Sequence, residues 1–192
     1  MSSKLDRLSW TTRGRKKVQD CRIFSVYAVD RENSTGGLGQ FIQLEAPNWV
    51  TVIPLVIDAE GGQRFLMVSQ YRHGNEMVTR EFPAGTVEMD EPPAEAAARE
   101  LLEETGYQAK ELIELGTVSP NPAFMSNRVT TFLARDLHLV QEQELDEHEL
   151  IDVVSEPVAD VISSMGTGAY DNGIMMISLL YYLRYAGRLN SQ

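Results

Sequence analysis

Three glutamates on one predicted helix are the residues of this chain best suited to metal chemistry. Glu100, Glu103 and Glu104 follow one another at positions i, i+3 and i+4. Because successive helical residues step by about 100°, the three carboxylates share one face of the helix. They repel one another when no cation lies between them, and hard divalent cations take carboxylate oxygens as ligands. The spacing therefore predicts a metal site, and a solvated acidic face is the alternative.

The helix that carries these glutamates has clear start and stop signals. Asp90 and Glu91 precede two prolines, a pattern typical of a helix N-terminus, and Gly106 suits the C-terminus. We therefore predict a helix over residues 93–105. Its predicted core-facing stripe consists of Ala94, Ala97, Ala98, Leu101 and Thr105. Arg99 lies four residues before Glu103, a separation at which it could orient that carboxylate.

The segment from Gly85 to Tyr107 resembles the Nudix box. That motif reads Gly, five residues, Glu, seven residues, then Arg-Glu-apolar-x-Glu-Glu-x-Gly-apolar. The positions that match are Gly85, Glu91, Arg99, Glu100, Leu101, Glu103, Glu104 and Gly106, and Tyr107 fills the last apolar position loosely. Seven fixed residue types at fixed spacing would arise by chance in roughly one chain in a million. The match therefore outweighs the solvated-face alternative.

The resemblance implies a role for each matched residue. The implied metal ligands are the backbone carbonyl of Ala84 and the side chains of Glu100, Glu103, Glu104 and Glu149. Arg99 would hold the catalytic glutamates, and Glu103 would take part in catalysis. Gly85 would let the chain approach metal and phosphates closely. Glu91 and Gly106 would brace the motif. The implied cofactor is Mg²⁺, with Mn²⁺ as the alternative metal.

Features outside the box resemble the ADP-ribose pyrophosphatase branch of the family. They are the run Glu81–Gly85 at the entry to the box, Pro122 downstream of it, and the acidic segment 145–149 before a strand and a helix. In that branch an acid on the late loop acts as general base, which implies Glu147 as base and Glu149 as a metal ligand. The predicted substrate-binding residues are Arg72, Glu81, Gly85, Pro122 and Arg128, and for Arg72 and Arg128 a surface ion pair is the alternative.

Two positions depart from that branch and leave the substrate open. Ala123 stands where the branch has Gly, and Asn127 stands where it has an acid. We therefore expect hydrolysis of ADP-ribose or a related nucleoside diphosphate sugar, giving a nucleoside monophosphate and a sugar phosphate. The alternatives are a catalytically silent Nudix-like regulator that binds nucleotides, a scaffold protein, and a Nudix hydrolase acting on another nucleoside diphosphate derivative, such as a dinucleotide. Trp10 and Trp49 could stack on a base, and core packing or a surface position without a binding role is the alternative.

Composition narrows the class of partner and the compartment. The formal net charge of −11 argues against nucleic acid as a partner, since phosphate binding requires a surplus of Lys and Arg. No apolar run approaches the length of a membrane span, and the first residues lack the apolar region of a signal peptide. The lone Cys21 fits a reducing compartment. We therefore expect a cytoplasmic protein without a membrane partner.

The remaining elements predict an α+β protein. Strands are predicted over residues 21–29, 38–45, 50–57, 65–71, 112–118, 128–134 and 150–154, and further helices over residues 156–165 and 174–187. With the resemblance, this order implies a Nudix fold, a mixed sheet sandwiched between helices. Residues 1–46 would form a small antiparallel extension that mediates homodimerisation, and 47–192 the hydrolase domain. The basic residues before the first predicted strand read as a solvated tail.

Overall fold

The computed structural model describes residues 6–189, and the chain divides into two compact units. The first unit contains the described residues up to Pro47 together with Ser119–Arg128. The second contains Asn48–Val118 and the described residues from Val129 onward. The grouping of Ser119–Arg128 with the N-terminal segment depends on contacts between residues far apart in sequence. The predicted boundary near residue 46 and the dimerisation role stay predictions.

The first unit is built on a three-stranded antiparallel sheet that follows a short 3₁₀ helix, Asp6–Leu8. Its strands, in spatial order, are β1 (Trp10–Asp20), β2 (Ser25–Asn33) and β3 (Leu38–Glu45). The predicted hairpin of β2 and β3 is confirmed, but the predicted bounds 21–29 are wrong for β2, which begins at Ser25 and ends at Asn33. The turn between them closes on Asn33, whose side-chain oxygen accepts hydrogen bonds from the backbone N–H of Thr35 (3.0 Å) and Gly37 (2.8 Å).

Strand β1 corrects the prediction of a solvated N-terminal tail, which is wrong for residues 10–20. Ten of its eleven residues are exposed, so its side chains carry no apolar alternation by which the sequence could reveal a strand. Antiparallel backbone pairing with β2 holds β1 in place instead, from Trp10 opposite Asn33 to Asp20 opposite Ser25. Backbone pairing needs no apolar side chains, and Arg15 adds a contact over the ring of Tyr27, 3.5 Å from its centroid.

The second unit contains a seven-stranded mixed sheet. Its strands are β4 (Trp49–Ile57), β5 (Gln63–Arg72), β6 (Met77–Glu81), β7 (Ala84–Thr86), β8 (Tyr107–Val118), β9 (Val129–Leu139) and β10 (Ile151–Pro157). The order β10-β5-β4-β9-β8 places the predicted buried strand β4 at the centre, paired in parallel with β9. The short strands β6 and β7 pair with β5 and β4 and were not predicted.

Helices cover both faces of this sheet, which confirms the predicted fold class. They are α1 (Pro93–Thr105), α2 (Val158–Ser164) and α3 (Gly173–Tyr185), with a 3₁₀ turn at Gly168–Tyr170. Side chains of β4 alternate between the two faces. Val50 and Val52 pack in the core with α1, whereas Ile53 packs with α2 and α3. Within residues 6–189, no helix is long and apolar enough to cross a membrane.

Helix α1 has the predicted bounds but a different buried stripe. Ala94 and Ala98 are exposed, and Ala96 is buried in their place beside Ala97. Glu104 also lies on the buried side, only 4% exposed. The stripe is rotated from the predicted one because α1 packs on the sheet with the turn that carries Glu104 facing the strand β7. The polar stretch at the start of β8 was likewise missed, because β8 is an edge strand with many exposed residues.

Candidate active site

A single arginine joins the loop and the helix of the acidic motif. Nε and Nη2 of Arg99 donate to the two carboxylate oxygens of Glu91 at 2.9 and 3.1 Å. Its Nη1 donates to Glu100 at 2.7 Å and to Glu103 at 3.0 Å. A further bond of 2.9 Å reaches the backbone oxygen of Thr86 in β7. These partners, with Glu91 foremost, raise the pKa of Arg99 and keep it charged.

Glu91 completes the brace between loop and helix. Besides Arg99, it accepts a hydrogen bond of 2.9 Å from the backbone N–H of Glu88. The paired guanidinium, first among the causes, lowers the pKa of Glu91. Gly106 ends the helix with φ 75°, and its N–H donates to the oxygen of Leu102. These contacts place both residues where a structural role in the motif was predicted.

Gly85 lies directly against the carboxylate of Glu100. A Cβ at this position would come within 2.0 Å of the Glu100 carboxyl carbon. Strand β7 holds the glycine there, since Val50 of β4 pairs opposite it. The glycine is therefore required for space rather than for an unusual backbone conformation, and any side chain would displace Glu100.

The charges of Glu104 and Glu100 interact, and in the described residues only Glu100 of the two is hydrogen-bonded to an arginine. Glu104 accepts one hydrogen bond of 3.1 Å from the backbone N–H of Ala84. Burial, reinforced by the charges of Glu100 and Glu149, raises the pKa of Glu104 to about 8. Burial also raises the pKa of Glu100, although Arg99 opposes the shift. Glu103 is the more exposed member of the trio, with 38% of its side chain accessible.

The acidic loop after β9 is attached to the end of α1. The side chain of Gln143 donates to the backbone oxygen of Glu104 at 2.6 Å, and the N–H of Glu144 donates to the oxygen of Glu103 at 2.9 Å. Farther along, Glu149 accepts from the N–H of Asp146 at 3.2 Å. Its charge reaches Glu100 and Glu104. Glu147 is exposed, and no contact described for residues 6–189 joins it to the glutamates of α1.

A second arginine–glutamate pair lies where β5 ends. Nε and Nη2 of Arg72 donate to the two carboxylate oxygens of Glu81 at 2.9 and 2.5 Å. Thr79 Oγ1 donates to the same carboxylate at 2.5 Å. Glu81 is 1% exposed, whereas the Arg72 side chain is 41% exposed. Burial would raise the pKa of Glu81, but the bonds from Arg72 and Thr79 lower it overall.

Arg72, Glu81 and Glu149 line a cleft of about 850 Å³. Several of its other residues were not predicted as site residues: Tyr71, His73, His148 and Asn172. The rings of Tyr71 and His73 meet edge to face, with their centroids 5.2 Å apart. The two histidines have no spacing in the sequence that indicates a site. Both line the cleft only because the end of β5, the acidic loop and the start of α3 converge here. Asn172 carried a local signal, because its amide residue type precedes a helical stretch.

Two predicted substrate contacts belong to the first unit. Pro122 lines a cavity of about 270 Å³ that also contains Trp10 and Phe41, whose rings meet edge to face at 5.1 Å. Arg128 donates to Ser119 Oγ at 3.3 Å. Asn127 is 2% exposed, and its Nδ2 donates to the oxygen of Pro47 at 3.1 Å. The substrate-binding roles of Pro122 and Arg128 stay predictions.

The donors near α1 fit a hard divalent cation. Glu100, Glu104 and Glu149 offer only carboxylate oxygens, and burial, reinforced by the charges of the other two, raises the pKa of Glu104. Gly85 leaves the approach to Glu100 free of side-chain atoms. Within residues 6–189 no three acidic, His or Cys side chains already converge as a ligand group, and Arg99 holds Glu100 and Glu103 by hydrogen bonds. A bound cation would compete with Arg99 for these oxygens.

Comparisons with known proteins agree with this arrangement. The family model described as NUDIX domain matches residues 47–173. The chain is 33% identical over 152 residues to the ADP-ribose pyrophosphatase of Bacillus subtilis (strain 168), covering 79% of this chain and 80% of that protein. It is 29% identical over 169 residues to the ADP compounds hydrolase NudE of Escherichia coli (strain K12), covering 87% of each. A crystal structure of an ADP compounds hydrolase superposes with a TM-score of 0.80 at 27% identity, covering 94% of this chain and 97% of that one.

Proposed function

The chain belongs to the Nudix family and is a pyrophosphatase of that family, and on this premise we propose that it hydrolyses ADP-ribose or a related nucleoside diphosphate sugar. The products are a nucleoside monophosphate and a sugar phosphate. The metal is Mg²⁺, with Mn²⁺ as the alternative. The names of two relatives, an ADP-ribose pyrophosphatase and an ADP compounds hydrolase, support an ADP compound as substrate.

The burial of Glu104 is the observation that carries this proposal. The buried carboxylate of Glu104, with the charges of the half-buried Glu100 and of Glu149 near it, is costly to ionise unless a cation or a proton compensates it. A protein that only bound a nucleotide would gain nothing from this cost. A hydrolase gains a metal site next to the bond that it cleaves, which supports catalysis over the silent regulator.

The metal supplies positive charge to the diphosphate and lowers the pKa of the attacking water. The protein's own residues hold the carboxylates in place and bind the phosphate oxygens. The backbone N–H of Ala84 fixes Glu104, and Arg99 fixes Glu100 and Glu103 on the same face of α1. Arg72 presents the exposed part of its guanidinium to the phosphate oxygens. Water attacks one phosphorus, the bridging P–O bond breaks, and the bridging oxygen leaves with the other phosphate.

Glu147 and Glu149, both on the acidic loop, are the two candidates for the general base. The resemblance assigns the role to Glu147 and makes Glu149 a metal ligand. Glu149 has the better placement in its favour, because its charge reaches Glu100, Glu104 and Arg72. Glu147 would have to approach through movement of the loop. Separate Glu147→Gln and Glu149→Gln variants decide between them, since loss of the base removes the acidic limb of the kcat–pH profile.

A substrate panel tests the proposal. Purified protein is incubated with ADP-ribose, ADP-glucose, GDP-mannose, UDP-sugars, NADH and diadenosine polyphosphates, each with Mg²⁺ or Mn²⁺. We expect the highest kcat/KM on a nucleoside diphosphate sugar, with AMP as product from ADP-ribose and no reaction in excess chelator. A preference for NADH or a diadenosine polyphosphate would favour the dinucleotide alternative. Nucleotide binding without turnover on any member would favour the silent regulator.

We also propose that the protein is a cytoplasmic homodimer that associates through its N-terminal strands. Support for dimerisation comes from apolar side chains exposed in the first unit, among them Ile23 (76%), Phe41 (43%) and Ile42 (55%). Light scattering of the full chain should give twice the mass of one chain, and Ile42→Lys should shift it toward the mass of one chain. A single-chain mass for the unaltered protein would contradict the dimer.

A further inference from the structure

The C-terminal end of α1 receives hydrogen bonds from the acidic loop, residues 140–150, which is distant from it in sequence. The last carbonyl groups of a helix have no partner within the helix itself. Here the carbonyl of Glu103 accepts from the backbone N–H of Glu144 at 2.9 Å. The carbonyl of Glu104 accepts from the side chain of Gln143, whose Nε2 donates at 2.6 Å. The acidic loop therefore supplies donors that this end of α1 requires.

Gln143 also connects the two ends of the acidic loop. Besides the carbonyl of Glu104, its Nε2 reaches the backbone oxygen of Ile151 at 3.2 Å, at the first residue of β10. The amide nitrogen carries two hydrogens, so it can donate to both carbonyls at once. One half-buried side chain thus joins the end of α1, the start of the loop and the strand that follows the loop.

The loop closed in this way carries Glu149. The backbone N–H of Glu149 donates to the oxygen of Asp146 at 2.9 Å, and the N–H of Asp146 donates to Glu149 Oε2 at 3.2 Å. These two bonds fix Glu149 within the loop, whereas the position of the loop depends on its ends. Glu149 lines the cleft with Arg72, and its charge reaches Glu104. The anchoring of the loop therefore decides where this carboxylate lies.

Closing the loop requires fewer contacts than Gln143 makes. The bond to Ile151 alone would join the two ends of the loop. The second bond reaches the backbone of Glu104, the residue whose buried side chain is a proposed metal ligand. Gln143 thereby ties the loop to the same residue with which Glu149 is proposed to act.

We propose that Gln143 is a positioning residue, which anchors the acidic loop so that the carboxylate of Glu149 can act together with those of α1. The use of these carboxylates to hold a divalent cation rests on the proposed function, whereas the anchoring of the loop does not. In this role Gln143 acts through Glu149 and not on the diphosphate itself.

Matched variants in one loop test the proposal. Gln143→Met removes the amide and keeps an unbranched side chain of similar length. Gln143→Asn keeps the amide on a side chain one carbon shorter, so its effect should be intermediate, and it replaces Q143M if that variant does not fold. The control is Gln141→Met, because the half-buried side chain of Gln141 makes no hydrogen bond within residues 6–189.

Binding of Mn²⁺ without substrate is the first measurement, by electron paramagnetic resonance of the free ion. We expect Q143M to raise the Kd for Mn²⁺ about tenfold, and Q141M to leave it unchanged. In a Glu149→Gln background, Q143M should raise the Kd less than about twofold, because the carboxylate that it positions is gone. The kcat/KM for ADP-ribose with Mn²⁺ should decrease in the same order.

Backbone hydrogen exchange in the metal-free protein is the second measurement. We expect the N–H of Glu144 to exchange about tenfold faster in Q143M than in the unaltered protein. The N–H of Val140, which donates to the oxygen of Gly106 at 3.0 Å where the loop begins, should exchange at an unchanged rate. If the unaltered protein cleaves no substrate but its Mn²⁺ affinity depends on Gln143 as expected, the proposed function fails and the positioning role stands.

Three outcomes would overturn the positioning role. One is a Kd for Mn²⁺ that Q143M leaves unchanged, even if the loop exchanges faster, which is the pattern of a purely structural contact. Another is a loss of affinity in Q143M that persists in full in the E149Q background. The third is exchange at Glu144 that Q143M does not alter. An unaltered protein that binds no Mn²⁺ would overturn the positioning role and the proposed function together.

Discussion

Two arginine clusters flank the carboxylates of α1, and they are built in opposite ways. In the box cluster, Arg99 bonds Glu91, Glu100 and Glu103, all within eight residues of it. In the cleft cluster, Arg72 of β5 bonds Glu81 of β6, and Thr79 donates to the same carboxylate. The first is a local motif on one loop and helix. The second exists only when β5 and β6 pair as neighbouring strands.

The two clusters also differ in charge balance. Around α1, carboxylates outnumber cations, and the pKa of the buried Glu104 rises to about 8. In the cleft cluster the single buried carboxylate has a bidentate partner, and its pKa falls. A site short of positive charge suits a metal ion, whereas a balanced ion pair suits the fixing of a side chain. This difference supports the proposal that the chemistry takes place at α1 and that the cleft orients the substrate.

Glu100→Gln should produce the largest loss. The carboxylate is a proposed metal ligand that Arg99 holds in place, so kcat should fall about 10³-fold with the fold intact. Steady-state kinetics and circular dichroism measure the two effects. Glu95→Gln, at an exposed position of the same helix, is the control and should behave as the unaltered protein. A smaller loss in E100Q than in R72Q would reverse the assignment of chemistry to α1.

Gly85→Ala should have the second-largest effect. We expect kcat to fall about 10²-fold, because the added Cβ would displace the Glu100 carboxylate. The matched control comes from the other cluster. Gly74→Ala introduces the same methyl group in open space near Arg72, since no atom lies within 4 Å of the added Cβ. Equal activities for G85A and G74A would show that close packing against Glu100 is unimportant.

Glu104→Gln should stabilise the metal-free protein in alkaline solution. The folded-state pKa of about 8 exceeds the ordinary carboxyl pKa of about 4.5 in the unfolded chain, so between these values the folded state retains a proton that the unfolded state has lost. Stability of the unaltered protein in chelator should therefore fall as pH rises from about 4.5 to about 8. At pH 8 the variant should be more stable by at least about 2 kcal/mol, and the two should converge near pH 4. Chemical unfolding in chelator measures this, and a variant less stable at pH 8 would contradict it.

Glu81→Gln should show the opposite dependence on pH and the smallest effect. The folded-state pKa of Glu81 is lowered, so its ionised form stabilises the fold above the unfolded-state value of 4.5. That contribution is lost as pH falls through the lower folded-state pKa. We expect E81Q to cost roughly 1 kcal/mol at pH 7 and little in strong acid. The same unfolding series as for E104Q measures it, and a cost that grows with acidity would be inconsistent with a lowered pKa.

Local pattern explains which elements could be predicted. Helix α1 was predictable to the residue because prolines start it and Gly106 ends it, and the buried strand β4 shows as an apolar run. Strand β1 was not predictable, since its side chains are exposed and do not alternate between apolar and polar residues. Its formation depends on backbone pairing with β2. Ala94 and Ala98 were placed on the wrong side of α1 because helical periodicity defines a stripe, whereas the sheet decides which stripe is buried.

The sequence by itself determined the box cluster, because Glu100 follows Arg99 directly, Glu103 lies about one helical turn away, and a short loop leads from Glu91 into the same helix. It also determined that the carboxylates near α1 are too many for the cations beside them. Only the tertiary structure decided that Glu104 is buried, that the charge of Glu149 reaches it, and that Arg72 meets Glu81 across paired strands. Burial and charge contacts between distant residues depend on which surfaces pack together, and no local spacing encodes that packing.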